Sequence, residues 1–287
     1  TTDSGIKISG SFDLSNESDG STDPSGLTLT FTDGSSLDII EAGHAAYSYE
    51  AAIPGASGEQ GISAATSNAA KRGIDGVSGN NAIGFEWASG ADAIGVDGLS
   101  FGFSMSSGDE TNQTSSAQAD SSTSGGVSYA TTTGDTTVTL GAGLIEASDD
   151  NTTTKTDYSV YHIGAVAVNG DLTVGIGLGA GDYPDGTTST TNEVIDWEAV
   201  EAGLSYVSGD LTFTAMYRDS DSVDDTAGNV ASGVKDGIER TGLSIDYAVA
   251  SGVTTTVGFI NQSASNEGVK EQTNSGSSWY IGTNLSF

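Results

Sequence analysis

The C-terminal stretch Ser277-Ser-Trp-Tyr-Ile-Gly-Thr-Asn-Leu-Ser-Phe287 decides how this chain is read. Taken with period two, Trp279, Ile281, Thr283, Leu285 and Phe287 share one face. Ser278, Tyr280, Gly282, Asn284 and Ser286 share the other. Successive side chains of a strand point to opposite sides, so the two faces must meet different surroundings. Phe287, the last residue, is in register with the apolar face, whereas chain ends ordinarily fray into water. The stretch is therefore expected to be part of the fold, and the open point is what its apolar face touches.

The same period recurs upstream. It runs over residues 5–14 (Ile6, Ile8, Phe12, Leu14), 27–32 and 36–42, the last two joined by the Asp33-Gly34 turn. It resumes over 82–88, 98–106, 126–130, 136–145, 157–168 and 172–178, then over 198–207, 211–218, 241–249 and 253–260. With the C-terminal stretch this gives about fourteen strands. Short connections such as Thr133-Gly-Asp135, Asn169-Gly-Asp171, Ser208-Gly-Asp210 and Ala250-Ser-Gly252 take turns with long, polar, mostly acidic ones at 107–125, 147–156, 181–196, 219–237 and 262–276. That pattern specifies an up-and-down antiparallel topology with short turns at one end and long loops at the other.

Composition narrows the choice. The 287 residues include 41 glycines, 3 prolines and no cysteine, which suits many short strands without disulfides. A net charge of −31, from 39 acids against 8 bases, excludes nucleic acid as a partner, because such binding needs clustered Lys and Arg. It favours cations instead. No apolar run is long enough for a membrane-spanning helix. The alternating strands carry Leu, Val, Ile, Phe, Ala and Tyr on one face and Ser, Thr, Gly, Asn and Asp on the other, where hardly a large apolar residue is found. Fourteen or more strands enclose too wide a space for side chains to fill. The polar face is then expected to line water and the apolar face to meet lipid. Tyr129, Tyr206, Tyr217, Tyr247, Trp279 and Phe287 lie near strand ends, where interfacial girdles belong. The expected fold is all-β: a closed transmembrane antiparallel β-barrel, a single domain over 1–287, in which every backbone group is paired as lipid requires.

The segment Asn80-Asn-Ala-Ile-Gly-Phe-Glu-Trp87, followed after a linker by Gly98-Leu-Ser-Phe-Gly-Phe-Ser104, resembles general porins of Gram-negative outer membranes, especially the alphaproteobacterial ones. The terminal Phe287 preceded by Leu285, Ile281 and Trp279 is similar to the outer-membrane assembly signal of that family. The resemblance implies a homotrimer in contact with outer-membrane lipid and lipopolysaccharide, passing small hydrophilic solutes and ions without energy input. It also implies that residues 43–80, where alternation stops, are the constriction loop folded into the pore. Family members have sixteen strands and place this loop after the fifth, whereas about three precede it here. Two strands missing from the numbering, or a smaller barrel, would each explain the difference.

On that resemblance Glu50, Glu59 and Asp75 form the acidic side of the constriction. Strand phase puts Lys7, Arg218 and Arg240 on the polar face, and Lys71 and Arg72 lie within the loop. Opposed charges across a water-filled gap order water and favour small dipolar solutes. The plainer reading pairs Arg240 with Glu239, Arg218 with Asp219, and lets Lys71 and Arg72 anchor the loop. A helical turn is expected at 64–71. The excess of acids predicts a preference for cations. Asp149, Asp150, Asp182, Asp185, Asp219, Asp221, Asp224 and Asp225 fall in the long connections and could bind Ca2+, although no EF-hand spacing occurs, so no cofactor is specified.

Enzymatic chemistry is not supported. Two histidines, His44 and His162, and no cysteine provide neither a metal centre nor a thiol nucleophile. His162, within a strand, reads as structural. No Gly-x-Ser-x-Gly elbow or phosphate loop is present. A secreted or surface-layer acidic adhesive β protein is the competing class; it calls for repeats and a polar exterior. A substrate-specific channel would need an aromatic track inside, and Tyr280 is the one aromatic that strand phase places there.

Overall fold

The computed structural model describes residues 2, 4–10, 26–39, 45–55, 83–107, 121–149, 156–184, 194–224, 235–266 and 272–286. These form one sheet of fourteen antiparallel strands, each paired with its neighbours in sequence. The strands are β1 (Lys7–Gly10), β2 (Leu27–Thr30), β3 (Ser36–Ile39), β4 (Ile83–Ala88), β5 (Leu99–Ser107), β6 (Ser121–Thr133) and β7 (Thr136–Asp149). They continue as β8 (Thr156–Asn169), β9 (Leu172–Pro184), β10 (Val194–Ser208), β11 (Leu211–Asp224), β12 (Lys235–Ala250), β13 (Val253–Asn266) and β14 (Gln272–Leu285). Among the described residues no helix is long and apolar enough to cross a membrane.

The turns are as the sequence dictates. Gly134, Gly170 and Gly209 take φ of 55–60° at the first turn position after β6, β8 and β10. That is the conformation a tight hairpin joining right-twisted strands requires, and the aspartate that follows each completes the turn.

Two expectations are corrected. Among the described residues the expected closure is not seen: β1 and β14 are the edges of the sheet and no pairing joins them. The strands also run further into the long connections than alternation suggests. β6 begins at Ser121 rather than 126, β11 continues to Asp224 and β12 starts at Lys235. Once a ladder has formed, each further residue adds its hydrogen bond whatever its polarity, so pairing continues where hydropathy contrast is lost. Asp149, Asp182, Asp219, Asp221 and Asp224 therefore belong to strands; Asp150, Asp185 and Asp225 lie outside the described residues.

The two faces separate as expected on the outside. Leu140 and Leu144 of β7, Tyr161 and Ile163 of β8, Ile176 and Leu178 of β9, Leu243 and Ile245 of β12 and Trp279 and Ile281 of β14 are all exposed, with Ile281 at 76%. An apolar surface continuous over so many strands is incompatible with water and fits lipid. Tyr129, Tyr206, Phe213 and Tyr247 border it near the short turns. The inner face is less polar than expected. Ile145, Val160 and Trp197 point inward with Ala147 and Ala199, and with Ala46 and Tyr47 they form a buried cluster. Met216 and Ile260 are buried on the same face.

Candidate functional site: an inner segment on a glycine track

Residues 45–55 account for that inner apolar cluster. They begin with a helical turn, α1 (Ala45–Ser48), and continue as extended chain across the inner face from β5 to β11. The expected helical turn at 64–71 lies outside the described residues. Two backbone N–H groups at the start of α1 donate to wall hydroxyls: Ala45 N to Ser104 Oγ at 3.0 Å and Ala46 N to Ser124 Oγ at 3.3 Å. The two serines are themselves 2.8 Å apart and buried. His162 Nε2 lies 2.9 Å from the carbonyl oxygen of Ala46, and the histidine is 2% exposed. The serines satisfy helix-end donors that would otherwise be buried without partners, and His162 adds a second contact to the Ala46 carbonyl, which also accepts from Tyr49 N at 3.4 Å.

Glycines on the inner face make room for the segment. A methyl group built on Gly126 of β6 would lie 2.6 Å from the Tyr49 ring. One on Gly141 of β7 would lie 2.2 Å from the Tyr49 carbonyl oxygen, and one on Gly164 of β8 2.9 Å from Ala51 Cβ. On Gly175 of β9 it would meet Ile53 at 3.2 Å, and on Gly203 of β10 the Pro54 carbonyl oxygen at 2.0 Å. Non-bonded atoms do not approach so closely, so on most of these strands even alanine would push the segment away from the wall. The segment ends against β11, where a methyl group on Gly55 would lie 3.3 Å from Arg218 Nη2.

That end carries the charged row of the wall. Glu201, Arg218, Arg240 and Gln262 are directly paired positions on β10, β11, β12 and β13, all facing inward. Glu201 Oε2 lies 3.4 Å from Arg218 Nε, which makes no hydrogen bond, so the contact is one of charge. Gln262 Oε1 accepts from Arg240 Nε at 3.2 Å and Nη2 at 3.1 Å. Glu201 is 5% exposed and Arg240 3%. A second inward pair, Asp38 and Glu86, lies on β3 and β4, with Thr28 donating to Asp38 and Ser48 Oγ donating to Glu86 Oε1 at 3.5 Å. Burial, and then the Glu86 charge, push the Tyr49 phenol above its ordinary value near 10.0.

The expected site residues are distributed as follows. Arg218 and Arg240 face inward side by side, and Arg218 meets Glu201 rather than Asp219, which points the other way. Lys7 is exposed on β1, on the face opposite Ile8. Glu50 is on the inner segment, half-buried, with Oε1 enclosed by protein. Glu59, Lys71, Arg72, Asp75 and His44 lie outside the described residues, as does Phe287. Trp279, Ile281 and Leu285 are on the exposed apolar face, with the Trp279 ring 4.8 Å from that of Phe259. Sequence reasoning missed Glu201, although its phase relative to Leu204 and Tyr206 places it inside. It also missed Ser104, Ser124, Tyr49 and Trp197.

No family model matches the chain, and no curated protein matches it in sequence. Solved structures do. The outer-membrane-expressed OmpT of Vibrio cholerae is similar over 91% of this chain and 80% of its own, with 13% identity and a TM-score of 0.58. The outer membrane channel DcaP of Acinetobacter baumannii is similar over 92% and 85%, at 9% identity and a TM-score of 0.57. The anion-selective porin from Comamonas acidovorans is similar over 91% and 76%, at 13% identity and a TM-score of 0.50. The chain therefore has the fold of outer-membrane porins and channels, with fourteen strands of their up-and-down wall among the described residues.

Proposed function

We propose that the chain forms a water-filled diffusion channel in the outer membrane of a Gram-negative bacterium, passing small hydrophilic solutes and ions down their gradients. One observation carries this reading: a polypeptide segment is seated on the inner face of a sheet whose outer face is apolar. A soluble protein would bury that outer face. An adhesive β protein would make it polar. A wall with lipid outside and a seated segment inside describes a lumen narrowed on one side. The porin fold shared with the solved structures supports the same conclusion, and the trimer form recorded for OmpT of Vibrio cholerae supports a homotrimer.

Cation preference follows from the net charge of −31. Among the described residues, strand phase puts Asp38, Glu86, Asp149, Glu201, Asp224, Asp236 and Asp246 on the inner face against Lys7, Arg218 and Arg240. Many other strand-borne acids, among them Glu146, Asp182, Glu198, Asp219 and Glu239, take the outward phase toward the long-loop end. Acids thus exceed bases on both faces, and the preference is for cations. Swelling of liposomes in sugars of graded size tests the channel: rates should fall steeply with solute size. Vesicles containing folded protein that swell no faster than empty ones would refute it.

A further inference from the structure

A cavity of about 390 Å³ opens at the long-loop end of β6–β9. Ser121, Glu146, Ser148, Asp157, Ser159 and Asp182 line it, and among the described residues no basic side chain does. Strand alternation puts all six on the same face as the exposed Leu144, Tyr161, Ile163 and Leu178. The cavity is thus on the outside of the wall, above the apolar belt and off the conduction path. The Ser148 side chain is 7% exposed, and its Oγ, in the cavity wall, has no hydrogen-bond partner. A hydroxyl removed from water without a partner costs free energy unless a ligand supplies one.

We propose that this cavity binds a small organic cation carrying two ammonium groups. The carboxylates are spread over three strands: Glu146 on β7, Asp157 on β8 and Asp182 on β9. Backbones two strands apart are separated by about 9.5 Å. Among the described residues no three acidic or imidazole side chains stand close enough to hold one metal ion. Separated carboxylates suit separated positive charges, and the cavity is far larger than the roughly 30 Å³ share of a single water. Each ammonium brings three donors, enough to engage a carboxylate and a serine hydroxyl together. Ser148 Oγ then gains a donor, which gives the site a preference for ammonium over a quaternary cation.

Calorimetric titration of the detergent-folded protein with 1,4-diaminobutane tests this independently of channel activity. Saturable one-to-one binding is expected, at least tenfold tighter than that of 1-butylamine and absent with 1,4-butanediol. The triple variant Glu146→Gln, Asp157→Asn, Asp182→Asn should lose binding. The triple variant Asp135→Asn, Asp171→Asn, Asp210→Asn, with the same charge change at the short turns, should keep it. Ser148→Ala and Asp182→Asn alone should each weaken binding several-fold, which keeps the test decisive if the first triple fails to fold. Equal affinity in the two triples, or equal affinity for the monoamine, would overturn the site and leave general attraction to an acidic chain.

Discussion

His162 Nε2 on β8 lies 2.9 Å from the carbonyl oxygen of Ala46 in the inner segment, in a place from which water is excluded. With both Ala45 and Ala46 N–H groups donated to wall serines, this fixes the start of the segment on β5, β6 and β8. Replacing His162 with alanine should loosen the start of the segment at a cost of about 0.5–1.5 kcal/mol, the net worth of one hydrogen bond. Single-channel current noise should increase, and His162→Gln should restore part of the quiet state. Unchanged noise in the alanine variant would deny the histidine a seating role.

The glycine track makes an internally controlled prediction. Gly203→Ala places a methyl group 2.0 Å from the Pro54 carbonyl oxygen, whereas Gly282→Ala on β14 meets nothing within 4 Å. The first should shift the segment into the lumen, lower conductance and cost about 1–3 kcal/mol through overpacking. The second should leave conductance unchanged. Equal conductance in the two variants would mean that the segment does not set the bore.

The Glu201–Arg218 pair predicts opposite changes in ion selectivity. Glu201→Gln leaves two adjacent guanidiniums with less compensation and should move the reversal potential toward chloride. Arg218→Ala should move it toward potassium. The latter also takes a cation away from a buried carboxylate. Because Arg218 is a quarter exposed, its stability cost should be about 2 kcal/mol, below that of a fully buried pair.

Tyr49 provides a pH dependence. Its phenol is held neutral by burial and by Glu86, so its folded value is raised. The stabilisation is complete below the ordinary value near 10.0 and is lost as pH rises from there through the folded value. Conductance should therefore become unsteady in the alkaline range above pH 10, and Tyr49→Phe should abolish that change. A step that persists in the phenylalanine variant would place its origin elsewhere.

On the lipid side, Ile163→Arg puts a charge on the exposed belt of β8. The expected loss is about 2–4 kcal/mol for a position near the bilayer midplane, read from urea unfolding in vesicles.

The architecture was legible in the sequence because period-two alternation survives wherever two solvents meet a strand. Leu140 against Gly141 and Ile176 against Gly177 are enough to assign sides. The strand ends were not legible, since β11 carries Asp219, Asp221 and Asp224 beyond the lipid, where contrast vanishes but hydrogen bonding continues. The inner face was misjudged for a related reason. Ile145, Val160 and Trp197 face inward without meeting water, because residues 45–55 cover them, and that cover comes from a non-periodic stretch. The inward glycines were visible in phase on β9, but their purpose depends on what is laid against them. Arg218 and Arg240 were found by phase alone; Glu201 was equally available by phase.

Planar bilayer recording across a potassium chloride gradient tests the central claim most directly. A lumen narrowed by a seated segment predicts discrete, ohmic current steps, grouped in threes for a homotrimer, with a reversal potential favouring potassium. Folded, heat-modifiable protein that inserts without conducting would contradict it.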